Sequence, residues 1–274
     1  MLRRERLVKV ESIVNQEGIV MVANLVNKLQ VSDMTIRRDL AELEGMSKVI
    51  RIHGGAQSLD YNNQKEVPHR EKKAIHHAEK RAVAKAAVSS IREGDTIFLG
   101  TGTTVELMSE FLKLLFIRVV TNSLPVFNAF RKQHPQYENI LIGGNYRERT
   151  GAFVGSIANL ALEKMRFSRS FVGVNGINKE NIFTSNMDEG TTQHLAMNNA
   201  SKRYILADYH KLNKESFYEF YKIKDIDVLV TNCEINVETT NYYEKYINLL
   251  LAEPVQEAAV ESGEEKWSIN EHGE

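Results

Sequence analysis

The sequence predicts an α/β protein in two parts, and three observations carry that prediction. Before about residue 57, apolar residues recur at helical spacing in three short runs, followed by a strand and a glycine pair. From Glu93 onward, short apolar strands alternate with helical stretches, which implies a mostly parallel sheet with helices on both faces. Between the two lies a polar segment ending at Pro68. The domains expected are 1–57, a linker and connecting helix over 58–92, a larger domain over 93–252, and an acidic tail over 253–274.

Composition narrows the class. The chain of 274 residues is 42% hydrophobic and 26% charged, as expected of a globular protein in water. No apolar run approaches the ~20 residues of a membrane span. The basic N-terminus (Arg3, Arg4, Arg6) lacks the apolar stretch of a signal peptide. Cys233 is the one cysteine, so no intrachain disulfide can form, and a reducing cytoplasm is expected. A net charge of −1 does not exclude nucleic acid, because binding depends on where charge clusters. No residues are assigned to a metal or cofactor.

Taken in order, residues 4–16 place Leu7, Val10, Ile13 and Val14 on one helical face, and Gly18 ends that helix. Residues 21–29 repeat the signal with Val22, Leu25, Val26 and Leu29. Ser32 or Asp33 can cap a third helix. There Ile36, Leu40 and Leu43 form the core face, and Met34, Arg37, Arg38 and Ala41 point outward. Two helices joined so tightly suggest a helix-turn-helix, and the strand Lys48–His53, stopped by Gly54-Gly55, suggests its wing. The alternation puts Ile50 and Ile52 on one face of that strand, with Val49, Arg51 and His53 on the other.

A helix over 69–92 should connect the halves. The strands expected beyond it are Thr96–Leu99, Arg118–Thr121, Asn139–Ile142, Arg169–Val174, Arg203–Leu206 and Val228–Thr231, with helices near 104–115, 124–133, 155–165 and 189–199.

The third helix has the chemistry to enter a DNA major groove. Arg37 and Arg38 can offer paired donors to guanine or clamp phosphates, and Ser32, Met34 and Thr35 share the same end. Lys48, Arg51 and His53 would extend the contact along the wing. A salt-bridged surface face is the plainer alternative for Arg37-Arg38-Asp39; the two preceding helices and the wing favour DNA.

Arg6, Val10, Val14, Ser32 and Thr35-Ile36-Arg37-Arg38-Asp39-Leu40, with His53-Gly54-Gly55-Ala56 after the wing, resemble the DNA-binding signature of the DeoR family of bacterial transcription regulators. Gly45-Met46-Ser47-Lys48 departs from the simpler lead into the wing usual there.

In the second domain, Gly100-Thr101-Gly102-Thr103-Thr104 follows a strand and opens a helix, a setting in which backbone N–H groups can hold phosphate. Thr121-Asn122-Ser123, Gly143-Gly144 and Gly173–Gly176 end further strands, where open parallel sheets bind ligands. Plain turn geometry is the alternative for the glycines. Asp208 and Lys211 follow another strand, and Lys72 and Lys80, eight residues apart, lie near one face of the connecting helix.

The DeoR resemblance extends from about Pro68 to Asn232. It implies a sensor domain similar to sugar-phosphate isomerases, with a phosphorylated sugar as effector. It maps the phosphate loop to Gly100–Thr104, a second loop to Thr121–Ser123, the rim to Gly144, Gly176 and Glu189, and the ligand end to Asp208 and Lys211. Gly100 and Asn175 stand where many members carry Asp. Val31–Leu40, Val119–Phe127 and Phe171–Gly176 look most like members that repress lactose use, which implies tagatose 6-phosphate. The function expected is a non-enzymatic repressor, a homodimer or homotetramer released from operator DNA by that ligand. The alternatives are a sugar-phosphate isomerase-like enzyme, which would need an acid–base pair that Asn175 weakens, and a DNA-binding protein with an inert dimerisation domain.

Overall fold

The computed structural model describes residues 3–17, 19–46, 48–52, 54–58 and 67–255. Gly18, His53, the segment 59–66 and the tail from 256, with Trp267, lie outside the described residues.

The N-terminal region packs three helices, α1 (Arg3–Glu17), α2 (Val22–Leu29) and α3 (Asp33–Gly45), against a small sheet. Val10, Val14, Leu25, Ile36, Leu40 and Leu43 are buried together, as their spacing requires. Ser32 caps α3 by accepting from the Thr35 N–H. The sheet has one strand more than a simple wing. β1 (Ile19–Met21) pairs with β3 (Gly55–Ser58), which pairs with β2 (Val49–Ile52). Gly54 and Gly55 therefore do not end the wing; they reverse it. Gly54 has φ +77°, and a Cβ on Gly55 would lie 2.3 Å from the Val20 carbonyl oxygen. Within β2 only Val49 is buried, whereas Ile50 is exposed.

The expected helix 69–92 is broken. A short helix, α4 (His69–Lys72), gives way to turns, and α5 (His77–Val88) starts afresh. His76 sits between them in the left-handed region at φ 51°. The break is stabilised by side chains that a continuous helix would carry elsewhere. Lys80 Nζ donates to the Lys72 carbonyl at 2.5 Å, and Lys73 Nζ lies 2.6 Å from Glu106.

Beyond it, β4 (Thr96–Leu99), β5 (Arg118–Thr121), β6 (Glu138–Leu141), β9 (Phe167–Gly173), β12 (Ala200–Leu206), β14 (Val228–Asn232) and β15 (Asn248–Ala252) form one sheet in the order β15-β14-β12-β9-β4-β5-β6. Every pairing in it is parallel. Both faces are covered: Phe98, Val172 and Ile205 belong to one buried cluster, and Ile97, Leu99, Phe171 and Leu206 to the other. Helix α5, with α6 (Thr103–Leu107), α7 (Leu124–Gln133), α8 (Ser156–Glu163), α9 (Met187–Asn198) and α10 (Val237–Tyr243), supplies the cover.

The helix expected to reach residue 115 stops earlier. A 3-10 turn follows at Met108–Glu110, and the Glu93 carboxylate accepts from the N–H groups of Leu115 and Phe116. Two antiparallel additions had no clear sequence signal, the hairpin β7 (Asn145–Arg147)–β8 (Ala152–Val154) and the sheet β10 (Gly176–Asn178)–β11 (Asn181–Thr184)–β13 (Tyr218–Lys222). Among the described residues, no helix is long and apolar enough to cross a membrane.

Candidate functional site

On the N-terminal surface, α3 presents Met34, 80% exposed, with Arg37 and Arg38 beside it. Arg37 is not idle: Asp33, one turn earlier, holds its Nε at 2.5 Å, which raises the guanidinium pKa. Arg38 makes no ion pair among the described residues and is the free cation of this face. Asp39 turns inward and takes Arg6 of α1 in two bonds of 2.5 and 3.1 Å, fixing the angle of α3. The Ser32 and Thr35 hydroxyls bond each other at 2.8 Å, so both serve the cap. Lys48 reaches Glu11 at 3.1 Å and Arg51 reaches Glu44 at 3.6 Å, which ties the wing to α1 and α3. His53 lies outside the described residues.

The second site follows from strand order. After β4 the chain moves to β5 on one side, and later returns with β9 on the other. The loops leaving β4 and β9 therefore diverge and open a crevice at the carboxyl edge of the sheet. Glycines let the strand ends approach. Gly102 has φ +136°, and a Cβ on Gly173 would stand 3.0 Å from the Thr101 carbonyl oxygen.

A cavity of about 130 Å³ lies there. Of the residues expected at an effector site, Lys72, Lys80, Thr101, Gly102, Thr103, Thr104, Asn175, Glu189, Asp208 and Lys211 line it. Six others do not, and each has structural work nearby. Gly100 packs on Val172, and Thr121 accepts from the Ser123 N–H. Asn122 donates to the Phe153 carbonyl, and Ser123 caps α7. Cβ atoms on Gly144 and Gly176 would meet the carbonyl oxygens of Val154 at 2.7 Å and of Lys214 at 2.4 Å. Lys72 and Lys80 reach the cavity because the chain breaks between them, not because they share a helical face.

The lining also includes His69, Ile75, His76, Thr150, Thr184 and Gln193, which the sequence did not single out. Gln193 had a usable signal, since it lies four residues after Glu189 on α9 and so shares its face. Thr150 and His69 had none; they arrive through the hairpin and the broken helix.

Lysines and buried carboxylates meet at this cavity. Burial lowers the Lys80 ammonium to about 8; the nearby Asp208 opposes that fall, and the cations Lys211 and Lys72 add to it. Asp208 is 1% exposed, and its Oδ1 has no hydrogen-bond partner among the described residues. Glu189 is buried against Arg147 and Thr150, so its charge is already matched. Burial by itself would raise the Glu106 carboxyl, but hydrogen bonds from His69 and Lys73 bring it below its ordinary value. At the cavity edge His76, Glu79 and His210 place ligand atoms within 4.8 Å of one another. The two imidazoles stack face to face at 3.6 Å, so their in-plane lone pairs do not converge on one ion, and the trio is a poor cation site as it stands.

Residues 3–62 match the DeoR-like helix-turn-helix domain, and residues 75–233 match the DeoR C terminal sensor domain. The chain is 41% identical over 235 residues to the lactose phosphotransferase system repressor of Streptococcus mutans, covering 85% of this chain and 94% of that one. It is 42% identical over 246 residues to the protein of the same name from Staphylococcus aureus strain NCTC 8325, covering 89% and 98%. Among solved structures, ribose 5 phosphate isomerase A from Neisseria gonorrhoeae aligns at TM-score 0.35 and 16% identity over 48% of this chain and 52% of that one. The delta subunit of initiation factor eIF-2B from A. fulgidus aligns at TM-score 0.37 and 11% identity over 75% and 64%. Both likenesses are too faint to carry an activity.

Proposed function

The chain belongs to the DeoR family of transcriptional repressors, non-enzymatic regulators with a DNA-binding domain and a sugar sensor, and on that premise we propose that it governs a lactose or galactose operon of the tagatose 6-phosphate route. Its effector is a phosphorylated sugar, with tagatose 6-phosphate first among them. The names of the two relatives support the lactose assignment. The observation that carries the effector class is the convergence of Lys72, Lys80 and Lys211 with the Thr101, Thr103 and Thr104 hydroxyls around one cavity beside buried Asp208. Cations and hydroxyls suit the phosphate, and a buried carboxylate suits sugar hydroxyls.

The same cavity suggests how the ligand is felt at the DNA. The segment 67–76 leads from the linker into the sensor and lines the cavity with Val67, His69, Lys72, Ile75 and His76. It is held by the His69 N–H on the Arg149 carbonyl, by Glu106 on His69 and Lys73, and by Lys80 on the Lys72 carbonyl. A phosphate that draws Lys80 and Lys72 to itself releases part of that hold. A ligand shifts the DNA-binding equilibrium only by its differential affinity for the two arrangements, and this strap supplies a difference. Two copies, as a homodimer or within a homotetramer, place two α3 helices on paired operator half-sites. Arg38, with Arg37, Met34, Ser32, Thr35 and the wing residues Lys48 and Arg51, forms the DNA face.

Operator binding is to be titrated against a panel of phosphorylated sugars, with tagatose 6-phosphate among them. Release by one of them is the expected result. Operator binding that no member weakens removes the switch.

A further inference from the structure

Gln193, like Asp208, is a polar group of the cavity with an unpartnered buried oxygen among the described residues. It is 1% exposed, on the inner face of α9, four residues after Glu189. Its Nε2 donates to Thr101 Oγ1 at 2.8 Å, and its Oε1 is buried with no partner among the described residues. Turning the amide over does not remove the vacancy: the Thr101 hydroxyl can donate as well as accept, so one end of the amide is paired and the other is left alone. A buried amide end without a partner is costly in a folded protein. Glu189, by contrast, already accepts from Arg147 and Thr150, and Lys80 already donates to the Lys72 carbonyl.

We propose that Gln193 is a specificity-determining residue of this pocket, whose unpaired amide end takes a hydroxyl of the bound ligand and thereby separates a polyhydroxylated phosphate ester from a bare phosphate. It rests on the sugar-phosphate assignment above and deepens it. A hydroxyl both donates and accepts, so it satisfies whichever end of the amide is free. The phosphate is anchored by Lys72, Lys80 and Lys211 without help from Gln193. The bond to Thr101 holds the amide still before the ligand arrives, so little side-chain entropy is lost on binding.

The test compares wild type with Gln193→Leu by calorimetry, using a panel of hexose 6-phosphates and inorganic phosphate as probes. The Kd of the hexose 6-phosphate bound by wild type should rise ~ten-fold or more, the effect of one lost bond to a buried polar group, and that of inorganic phosphate should stay within about two-fold. If Gln193→Leu melts well below wild type, Gln193→Asn takes its place with the same expectation, since it keeps the amide but withdraws it by one methylene. Unchanged hexose 6-phosphate affinity overturns the proposal, as does a parallel loss for both probes, which would make Gln193 a wall of the pocket. A wild-type protein that binds no hexose 6-phosphate overturns the sugar-phosphate assignment itself.

Discussion

Replacing Lys80 by Met should stabilise the sensor while removing its response. Lys80 is 5% exposed, and its ammonium is lowered from an ordinary 10.5 to about 8, chiefly by burial. At about 1.4 kcal/mol per decade of proton affinity, that fall corresponds to about 3 kcal/mol held against the folded state at neutral pH. Water at the cavity mouth screens part of it, and the bond to the Lys72 carbonyl is lost with the ammonium, so the net gain should be about 1–2 kcal/mol. Methionine keeps the chain length and apolar stem. The pH dependence has a definite sign. The folded-state value lies below the unfolded one, so between about 8 and 10.5 the unfolded chain binds more protons and wild-type stability rises with pH. Below about 8 the full penalty is present. Thermal melts at fixed protein concentration should place Lys80→Met about 2–8 °C above wild type at pH 7, with the gap closing by pH 10. The variant should show no shift with the sugar phosphate that shifts wild type. A variant less stable than wild type at pH 7, or a gap that does not change with pH, refutes the buried-cation account.

The DNA face gives two further predictions. Arg38→Ala should weaken operator binding by about 1–3 kcal/mol if Arg38 reads a base, with an unchanged melt; anisotropy with labelled operator measures it, and unaltered affinity takes Arg38 out of the interface. Asp39→Asn should act through the fold instead. It leaves the Arg6 guanidinium, 14% exposed, without its carboxylate and should destabilise the N-terminal region by about 3 kcal/mol. Operator binding should then fail while the sensor's ligand-induced thermal shift persists, and loss of both together would contradict it.

Periodicity was legible where one element buries one face by itself. The spacing of Ile36, Leu40 and Leu43 predicts both the buried stripe of α3 and the outward Arg37 and Arg38, because a helix repeats every 3.6 residues whatever surrounds it. The apolar cores of β4, β5, β9, β12 and β14 were legible for the same reason, since strands buried on both faces read as continuous apolar runs. Short polar strands such as Asn145–Arg147 and Gly176–Asn178 carry no such pattern; they exist because a partner strand stands opposite. The connecting helix was misread because alanine-rich helical propensity says nothing of the carbonyl that Lys80 takes from Lys72.

The sequence by itself determined the third helix of the N-terminal region with its two outward arginines, the alternation that makes a parallel sheet, and the threonine loop after β4. These depend on neighbours within about eight positions, where backbone geometry sets what touches what. Only the tertiary structure decided that the strand order reverses between β4 and β9, and that α5 starts behind a left-handed His76. It likewise decided that Gln193, Asp208 and the lysines 72, 80 and 211 surround one cavity. Those residues are up to 139 positions apart, the span from Lys72 to Lys211, and strand order, which no local pattern encodes, brings them together.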